Sequence, residues 1–365
     1  MTIDYQQRLN AVRAISGVDA VAIMPGASMG YFTGLHYFLS ERPIILFVLP
    51  DKLGLVVPKL ELATIQKRAD LNAELFPWDD EEWFMPAFQR AVDMLGLRGK
   101  TLGIDSLTMR AAEVLGLQTV DPTLKLKPVE EALLRIRAIK TPDEIALMRR
   151  AAQASEAALS DLLKLVQPGM TEQEIAAKLD ELQFKHGGEA LAFSTLIQTG
   201  ANSSNPHGET TDRALGRDEF LLIDFGCQVG GYHSDITRTF VIGSFSPEMQ
   251  TIYDTVKRAN EAAFAAVAPG VPASAVDKAA RDVITEAGYG PYFTHRTGHG
   301  LGTDGQRFMP QISSSAHYPL EVGMTFTIEP GIYVPGVGGV RLEDNVMVTE
   351  SGAESLTTFP KNPVL

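Results

Sequence analysis

The sequence lacks most of the features that mark specialised protein classes. A single cysteine, Cys227, in 365 residues excludes an intrachain disulfide framework and a thiolate-rich metal site, and suits a reducing cytoplasm. The longest apolar run, Ile44 to Leu49, is far short of the roughly 20 residues that span a bilayer. Basic residues are outnumbered, 32 against 45 acidic, for a net charge of -13, which argues against nucleic acid or an anionic membrane as partner. The opening MTIDYQQRLN has no basic n-region or apolar h-region, so no signal peptide is expected and the cytoplasm is the expected location. No low-complexity segment or long linker interrupts the chain.

At this length two domains are expected. Residues 1–125 alternate strand-like runs (VDAVAIM, PIILFVLP, LGLVVP, TLGID) with helical stretches, the pattern of a small α/β domain. Residues 126–142 cross to a second domain, 143–365, with Thr141 and Pro142 as cap and first-turn residue of its opening helix. The acidic cluster at 79–83 reads as a helix N-terminus rather than a metal site.

Within 143–365 the segment FLLIDFGCQVGGYHSDITRTF, 220–240, reads as two strands around a Val229-Gly230 turn. Counting outward from that turn sets Asp224 opposite Asp235, where like charges destabilise a sheet unless a cation or shared proton holds them. The geometry recurs in MTFTIEPGIYVPGVGGVRLEDNVMVTE: a turn centred on Gly336 sets Glu329 opposite Glu343. Upstream, 162–188 and 265–290 share a helix, a Pro-Gly stop and a second helix ending in Gly. The domain therefore reads as two related helix-helix-hairpin halves. Pairing about a pseudo-two-fold axis would bring Asp224, Asp235, Glu329 and Glu343 to one centre, and four carboxylates in one cleft call for about two divalent cations. His299, flanked by Gly298 and Gly300 thirty residues before Glu329, is a candidate fifth ligand, its imidazole left uncrowded by the glycines. This hard, oxygen-rich set suits Mn, Co, Zn or Fe(II) in a two-metal hydrolytic site.

These residues carry a family resemblance. TGL near residue 34, RAIKTPDEIALMRRAA at 137–152, LIDFG, YHSDITRTF, GHGLG, TIEPG and VRLED resemble the creatinase/aminopeptidase group of pita-bread metallopeptidases, in its Xaa-Pro dipeptidase and Xaa-Pro aminopeptidase branch. The resemblance implies an α/β N-terminal domain followed by an α+β pita-bread catalytic domain with an internal pseudo-two-fold repeat. It implies a dinuclear metal-dependent exopeptidase acting on Xaa-Pro bonds of proline-containing peptides, and the arginines available to hold a dipeptide's carboxylate favour dipeptides slightly over longer chains. Two divalent ions per subunit, manganese foremost, would be held by Asp224, Asp235, His299, Glu329 and Glu343. Asp235 and Glu343 would bridge the ions, and Glu329 would double as the general base. His207 and His295 match histidines near the substrate, and His233 shares the strand face of Asp235. The N-terminal domain would support a homodimer and lend Arg42 to a neighbour's cleft.

The sequence departs from the family where relatives carry a second histidine followed by Glu: here the residues are Gln306-Arg307. A Gln amide can donate a hydrogen bond to an oxyanion but cannot transfer a proton. A dipeptide also needs a cation for its carboxylate, for which Arg42, Arg307 and Arg341 are the candidates. Two other classes share the fold: creatinase-like or other small-amide hydrolases, and non-catalytic peptide-binding modules, which usually lack the ligand set.

Overall fold

The structure, a computed structural model, describes residues 3–303 and 309–364. It divides into two compact units, Met1–Arg137 and Ala138–Leu365.

Unit 1 is built on a mixed six-stranded sheet in the order β4-β3-β2-β1-β5-β6. Its strands are β1 (Ala20–Ile23), β2 (Ile45–Val48), β3 (Leu53–Pro58), β4 (Ala73–Trp78), β5 (Thr101–Ile104) and β6 (Lys125–Pro128). Successive residues of a strand point to opposite faces, and here both faces are apolar. Ala20, Ala22, Ile45 and Phe47 enter one core, whereas Val21, Ile23, Leu46 and Val48 enter another. The first core is closed by α4 (Met85–Met94) and α5 (Ala111–Val120). The second is closed by α1 (Tyr5–Arg13), α2 (Ala27–Thr33), α3 (Leu62–Gln66) and α6 (Glu130–Ala138). The stretch 126–142 thus carries most of β6, all of α6 and the start of the next helix.

Unit 2 opens with α7 (Pro142–Leu162), started by Thr141, whose side chain caps Glu144 N–H while the Glu144 carboxylate accepts the Thr141 N–H at 2.7 Å. Thr171 and Glu174 form the same reciprocal cap on α8 (Glu172–Lys185). Then come β7 (Ala190–Leu191), β8 (Leu196–Thr199), β9 (Phe220–Phe225), β10 (Cys227–Val229), β11 (Tyr232–His233) and β12 (Ile236–Val241). The second half repeats the plan with α9 (Pro247–Ala265), α10 (Ala273–Glu286), β13 (Thr325–Ile328), β14 (Gly331–Val334), β15 (Gly338–Arg341), β16 (Asp344–Thr349) and β17 (Gly352–Ser355). Two main cores form, and Phe220 and Val241 of the first half enter the one built mostly by the second. Leu159, Leu179, Ile223 and Phe240 belong to one; Val256, Val276, Phe326 and Val346 belong to the other.

The hairpin registers decide where the acidic side chains stand. In the second half Ile328 pairs with Asp344 and Gly331 with Arg341, so Glu329 lies across from Glu343, as the turn at Gly336 predicts. In the first half the expectation is off by two residues. The turn is Gly230-Gly231, with φ of +58° and +77°, the left-handed conformations of a two-residue hairpin turn. Val229 therefore pairs with Tyr232, and Asp224 faces Thr237 rather than Asp235. A slip of two residues preserves side-chain parity, and both aspartates still reach one cleft.

The halves are locked together between β12, an edge strand of its sheet, and the start of β16. Arg238, only 1% exposed, pairs with Asp344 at 2.8 Å and donates to the carbonyl oxygens of Thr237, Glu343 and Phe359. Burial works against the charged form of Asp344, but Arg238 and Lys361 outweigh it and hold that carboxyl below its usual range.

Candidate metal centre

A cleft of about 570 Å³ in unit 2 is lined by Asp224, Asp235, His299, Glu329 and Glu343 together with His207, His295, Arg296, Arg341, Phe193, Pro206 and Thr294. Ligand atoms of Asp235, His299 and Glu343 lie within 4.8 Å of one another. His299 Nε2 is 3.5 Å from Asp235 Oδ2 and 3.4 Å from Glu329 Oε1. The five side chains singled out in the sequence thus converge on one wall.

Backbone hydrogen bonds place them. Glu343 N–H donates to the Thr237 carbonyl at 3.0 Å, and Asp235 N–H donates to Asn345 Oδ1 at 3.2 Å. His299 is fixed by its N–H to Thr327 Oγ1 at 3.1 Å. The flanking glycines serve close backbone approach. A β-carbon at Gly298 would stand 1.8 Å from the Thr327 carbonyl oxygen, and one at Gly300 2.3 Å from that of Met309. Close backbone packing therefore requires glycine at both positions.

Three observations test whether these groups fit metal ions. His299 Nδ1 lies 3.1 Å from the Gly300 carbonyl oxygen, which can only accept; the proton is therefore on Nδ1 and the Nε2 lone pair faces the carboxylates, the tautomer a metal ligand needs. Asp224 Oδ1 and Glu343 Oε1 are buried with no hydrogen-bond partner among the described residues. Burial, then the repulsion of neighbouring carboxylates, pushes Asp235 and Glu343 well above the usual carboxylate range. Burial raises Asp224 as well, with Arg341 opposing it. Four carboxylates can be ionised together here only if positive charge is supplied. The residues fit the binding of divalent metal.

Arg341 is buried and spends its guanidinium within the protein. It donates to Asp224 Oδ2, to the Tyr333 hydroxyl at 2.9 Å and to Thr237 Oγ1 at 3.1 Å. The Tyr333 hydroxyl also lies 2.8 Å from His295 Nε2, and His295 Nδ1 donates to the Arg296 carbonyl at 2.7 Å. Burial lowers the His295 pKa. His207 stands exposed at the rim, and His233 is buried in β11 opposite Gln228. Arg42 belongs to unit 1, where it forms a two-pronged pair with Asp80 at 3.0 and 2.7 Å and reaches Glu41 at 2.5 Å. Gln306 and Arg307 lie outside the described residues.

Tyr333, Arg296, Phe193 and Pro206 line or brace the site without being singled out in the sequence. For Tyr333 a signal existed: Glu329, Gly331 and Tyr333 alternate along one strand direction, with Arg341 opposite Gly331.

Residues 146–350 match the profile of metallopeptidase family M24, and residues 6–139 match the Creatinase/Prolidase N-terminal domain. The chain is 34% identical over 326 residues to a Xaa-Pro dipeptidase of Pyrococcus furiosus, covering 88% of this chain and 90% of that protein. Among solved structures it is similar to the dipeptidase PepE of Mycobacterium ulcerans, with a TM-score of 0.92, 34% identity and coverage of 99% and 97%. It also resembles a prolidase of Thermococcus sibiricus, with a TM-score of 0.91, 32% identity and 100% coverage of both chains.

Proposed function

The chain belongs to metallopeptidase family M24, and from that membership and the geometry of its cleft we propose that it is a dinuclear metal-dependent exopeptidase that cleaves the bond before proline, with dipeptides as its preferred substrates. The observation that carries this reading is the convergence of five ligand side chains, two of them with unpartnered buried oxygens, on one cleft. The names of the similar proteins support the prolyl preference, and Phe193 and Pro206 offer an apolar wall for a pyrrolidine ring.

Asp224, Asp235, His299, Glu329 and Glu343 would hold the ions, with Glu329 also placed to act as the base. Two divalent cations supply an acidified water at neutral pH and polarise the scissile carbonyl. Glu329 Oε1 accepts from Thr327 Oγ1 at 3.1 Å, which holds the carboxylate to take a proton from the attacking water and return it to the leaving prolyl nitrogen. His207 and His295 flank the bond being broken, and Gln306 would orient the substrate in place of the histidine that relatives carry there. Asp224 is kept in line by Arg341 and, through Thr237 Oγ1 at 2.6 Å, Glu343 is held too.

Manganese is the proposed metal, supported by the predominance of oxygen donors. The single buried cysteine supports a cytoplasmic location, and no helix among the described residues is long and apolar enough to cross a membrane. A homodimer formed through unit 1 is supported by its solvent-facing Phe38, 92% exposed. The test of the activity is a panel of Xaa-Pro dipeptides, Xaa-Pro tripeptides, non-prolyl dipeptides and creatine-like amides. The reading expects the first to be turned over fastest; turnover confined to the last would replace it with the small-amide class.

A further inference from the structure

We propose that Asn260 is a positioning residue for the metal centre: its buried amide fixes the two backbone carbonyls that directly precede Glu329 and Glu343, and so sets where both carboxylates stand. The proposal rests on the reading of the cleft as a divalent-metal site. It gives a part in holding the ligands to α9, none of whose residues lines the cleft.

The need for such a residue follows from the sequence of the second hairpin. Its two ladders share one register: Ile328 pairs with Asp344 on one side of the glutamates and Gly331 with Arg341 on the other, so Pro330 lies opposite Leu342. Directly opposed residues of an antiparallel pair alternate between those that exchange both N–H···O bonds and those that exchange none. Leu342 N–H donates to the Pro330 carbonyl at 3.4 Å, which puts these two in the exchanging class. The reciprocal bond cannot form, because proline has no N–H. The ladder therefore loses a rung beside the pair of glutamates, and the Leu342 carbonyl is left without its strand partner.

Asn260 supplies the missing donor. It is 1% exposed, and its Nδ2 donates to the carbonyls of Ile328 and Leu342, each at 3.1 Å. A carbonyl and the N–H of the next residue belong to one planar peptide unit. The N–H ends of these two units are Glu329 N–H, which donates to the Thr297 carbonyl at 2.8 Å, and Glu343 N–H, which donates to that of Thr237 at 3.0 Å. The peptide plane entering each glutamate is thus held at both ends, and one amide holds the carbonyl end of both. The orientation of that amide is itself determined. Lys361 Nζ, which can only donate, stands 2.8 Å from Asn260 Oδ1, so Nδ2 must face the carbonyls, which can only accept. Lys361 is in turn held by Asp344 Oδ2 at 2.5 Å. A carboxylate at position 260 would have the same shape without an N–H, and would set acceptors against acceptors.

The experiment titrates Mn²⁺ calorimetrically into metal-stripped wild-type protein, Asn260→Leu, Asn260→Asp and Lys361→Met, with the melting temperature of each metal-free protein recorded beside it. Asn260→Leu and Asn260→Asp should raise the Kd for Mn²⁺ by roughly tenfold to hundredfold, the range seen when a group that orients a metal ligand is lost. Lys361→Met, which leaves the donor in place but frees the amide to turn, should weaken binding less. Pro330→Ala returns an N–H opposite the Leu342 carbonyl, so Asn260→Leu should cost less affinity in that background than in the wild type. A residue that merely stabilised the fold would lower the melting temperature while the folded molecules bound Mn²⁺ with unchanged Kd, and that result would overturn the proposal. An equal loss of affinity with and without Pro330→Ala would overturn it too. A wild-type protein that binds no Mn²⁺ would overturn the metal-site reading and the proposal with it, whereas variants that bind as tightly as a metal-binding wild type would overturn the proposal alone. Should both Asn260 variants fail to fold, Lys361→Met decides, an unchanged Kd being the contrary result.

Discussion

The Tyr333 hydroxyl lies 2.8 Å from His295 Nε2 and fixes the state of that imidazole. Because His295 Nδ1 donates to the Arg296 carbonyl oxygen, Nε2 must accept, and the tyrosine proton points at it. Burial pushes the Tyr333 pKa up to about 12, so the phenol stays protonated throughout the working range. The histidine next to the substrate is thereby kept neutral, and the same hydroxyl accepts from Arg341, which holds Asp224.

Tyr333→Phe tests this chain of contacts. A hydrogen bond to the bare nitrogen favours neutral imidazole, so its removal should raise the His295 pKa from its depressed value. The acid limb of the rate profile should move to higher pH, and transition-state stabilisation should fall by about 1–3 kcal/mol. NMR titration of His295 with metal analysis checks it. An unmoved pKa would mean that Tyr333 only packs.

Glu172 is fully buried, and its carboxylate accepts from Thr199 N–H at 2.7 Å, Thr211 N–H at 2.8 Å, both of those threonine hydroxyls and the Asn202 amide. It thus pins both ends of the loop that carries His207. Glu172→Gln turns an amide NH₂ toward these donors, leaving one or more unsatisfied at about 1–3 kcal/mol each. Denaturant unfolding should show that loss, and hydrogen exchange should speed up across 199–211. Unchanged exchange there would remove the loop-pinning role.

Glu329→Gln and Asp235→Asn should fail in different ways. The first removes the base as well as weakening a ligand, so turnover should drop by orders of magnitude while much of the metal remains. The second replaces a carboxylate of the candidate metal cluster by a poor neutral ligand, so its deficit should follow metal loss. Metal analysis beside single-turnover rates separates them; near-normal rates in either variant would refute the role given to that residue.

Because burial and mutual repulsion raise Asp235 and Glu343 in the absence of cations, the metal-free protein keeps protons there above the usual carboxylate range. Metal uptake must displace them, so affinity should weaken as pH falls toward that range. Calorimetric titration in two buffers of different ionisation heat should show protons released per metal bound. No buffer dependence would indicate that the carboxylates are already ionised.

The convergence of the acidic side chains on one cleft was legible because alternation along a strand and symmetry between hairpins are local properties of sequence. Asp224, Asp235, Glu329 and Glu343 could be aimed at one centre even with the first hairpin misregistered by two residues, since that slip leaves parity intact. What could not be read were partnerships between segments distant in sequence. Arg296 stands in the stretch that supplied His299, but its neutral partner Gln311 is brought to it by pairing of Gly298 with Ile312. Arg341 looked available for substrate until the fold set Asp224 and Tyr333 against it. In unit 1 the alternation of strands and helices announced the α/β layers, whereas the mixed strand order of the sheet had no local signature.

The most direct test of the account is to strip the protein of metal, verify its absence by elemental analysis, and titrate a divalent cation while following Ala-Pro hydrolysis. Activity should be absent at the start and should rise to a plateau as bound metal approaches two ions per chain. Hydrolysis by verified metal-free protein, or a plateau reached with no metal retained by Asp224, Asp235, His299, Glu329 and Glu343, would contradict it.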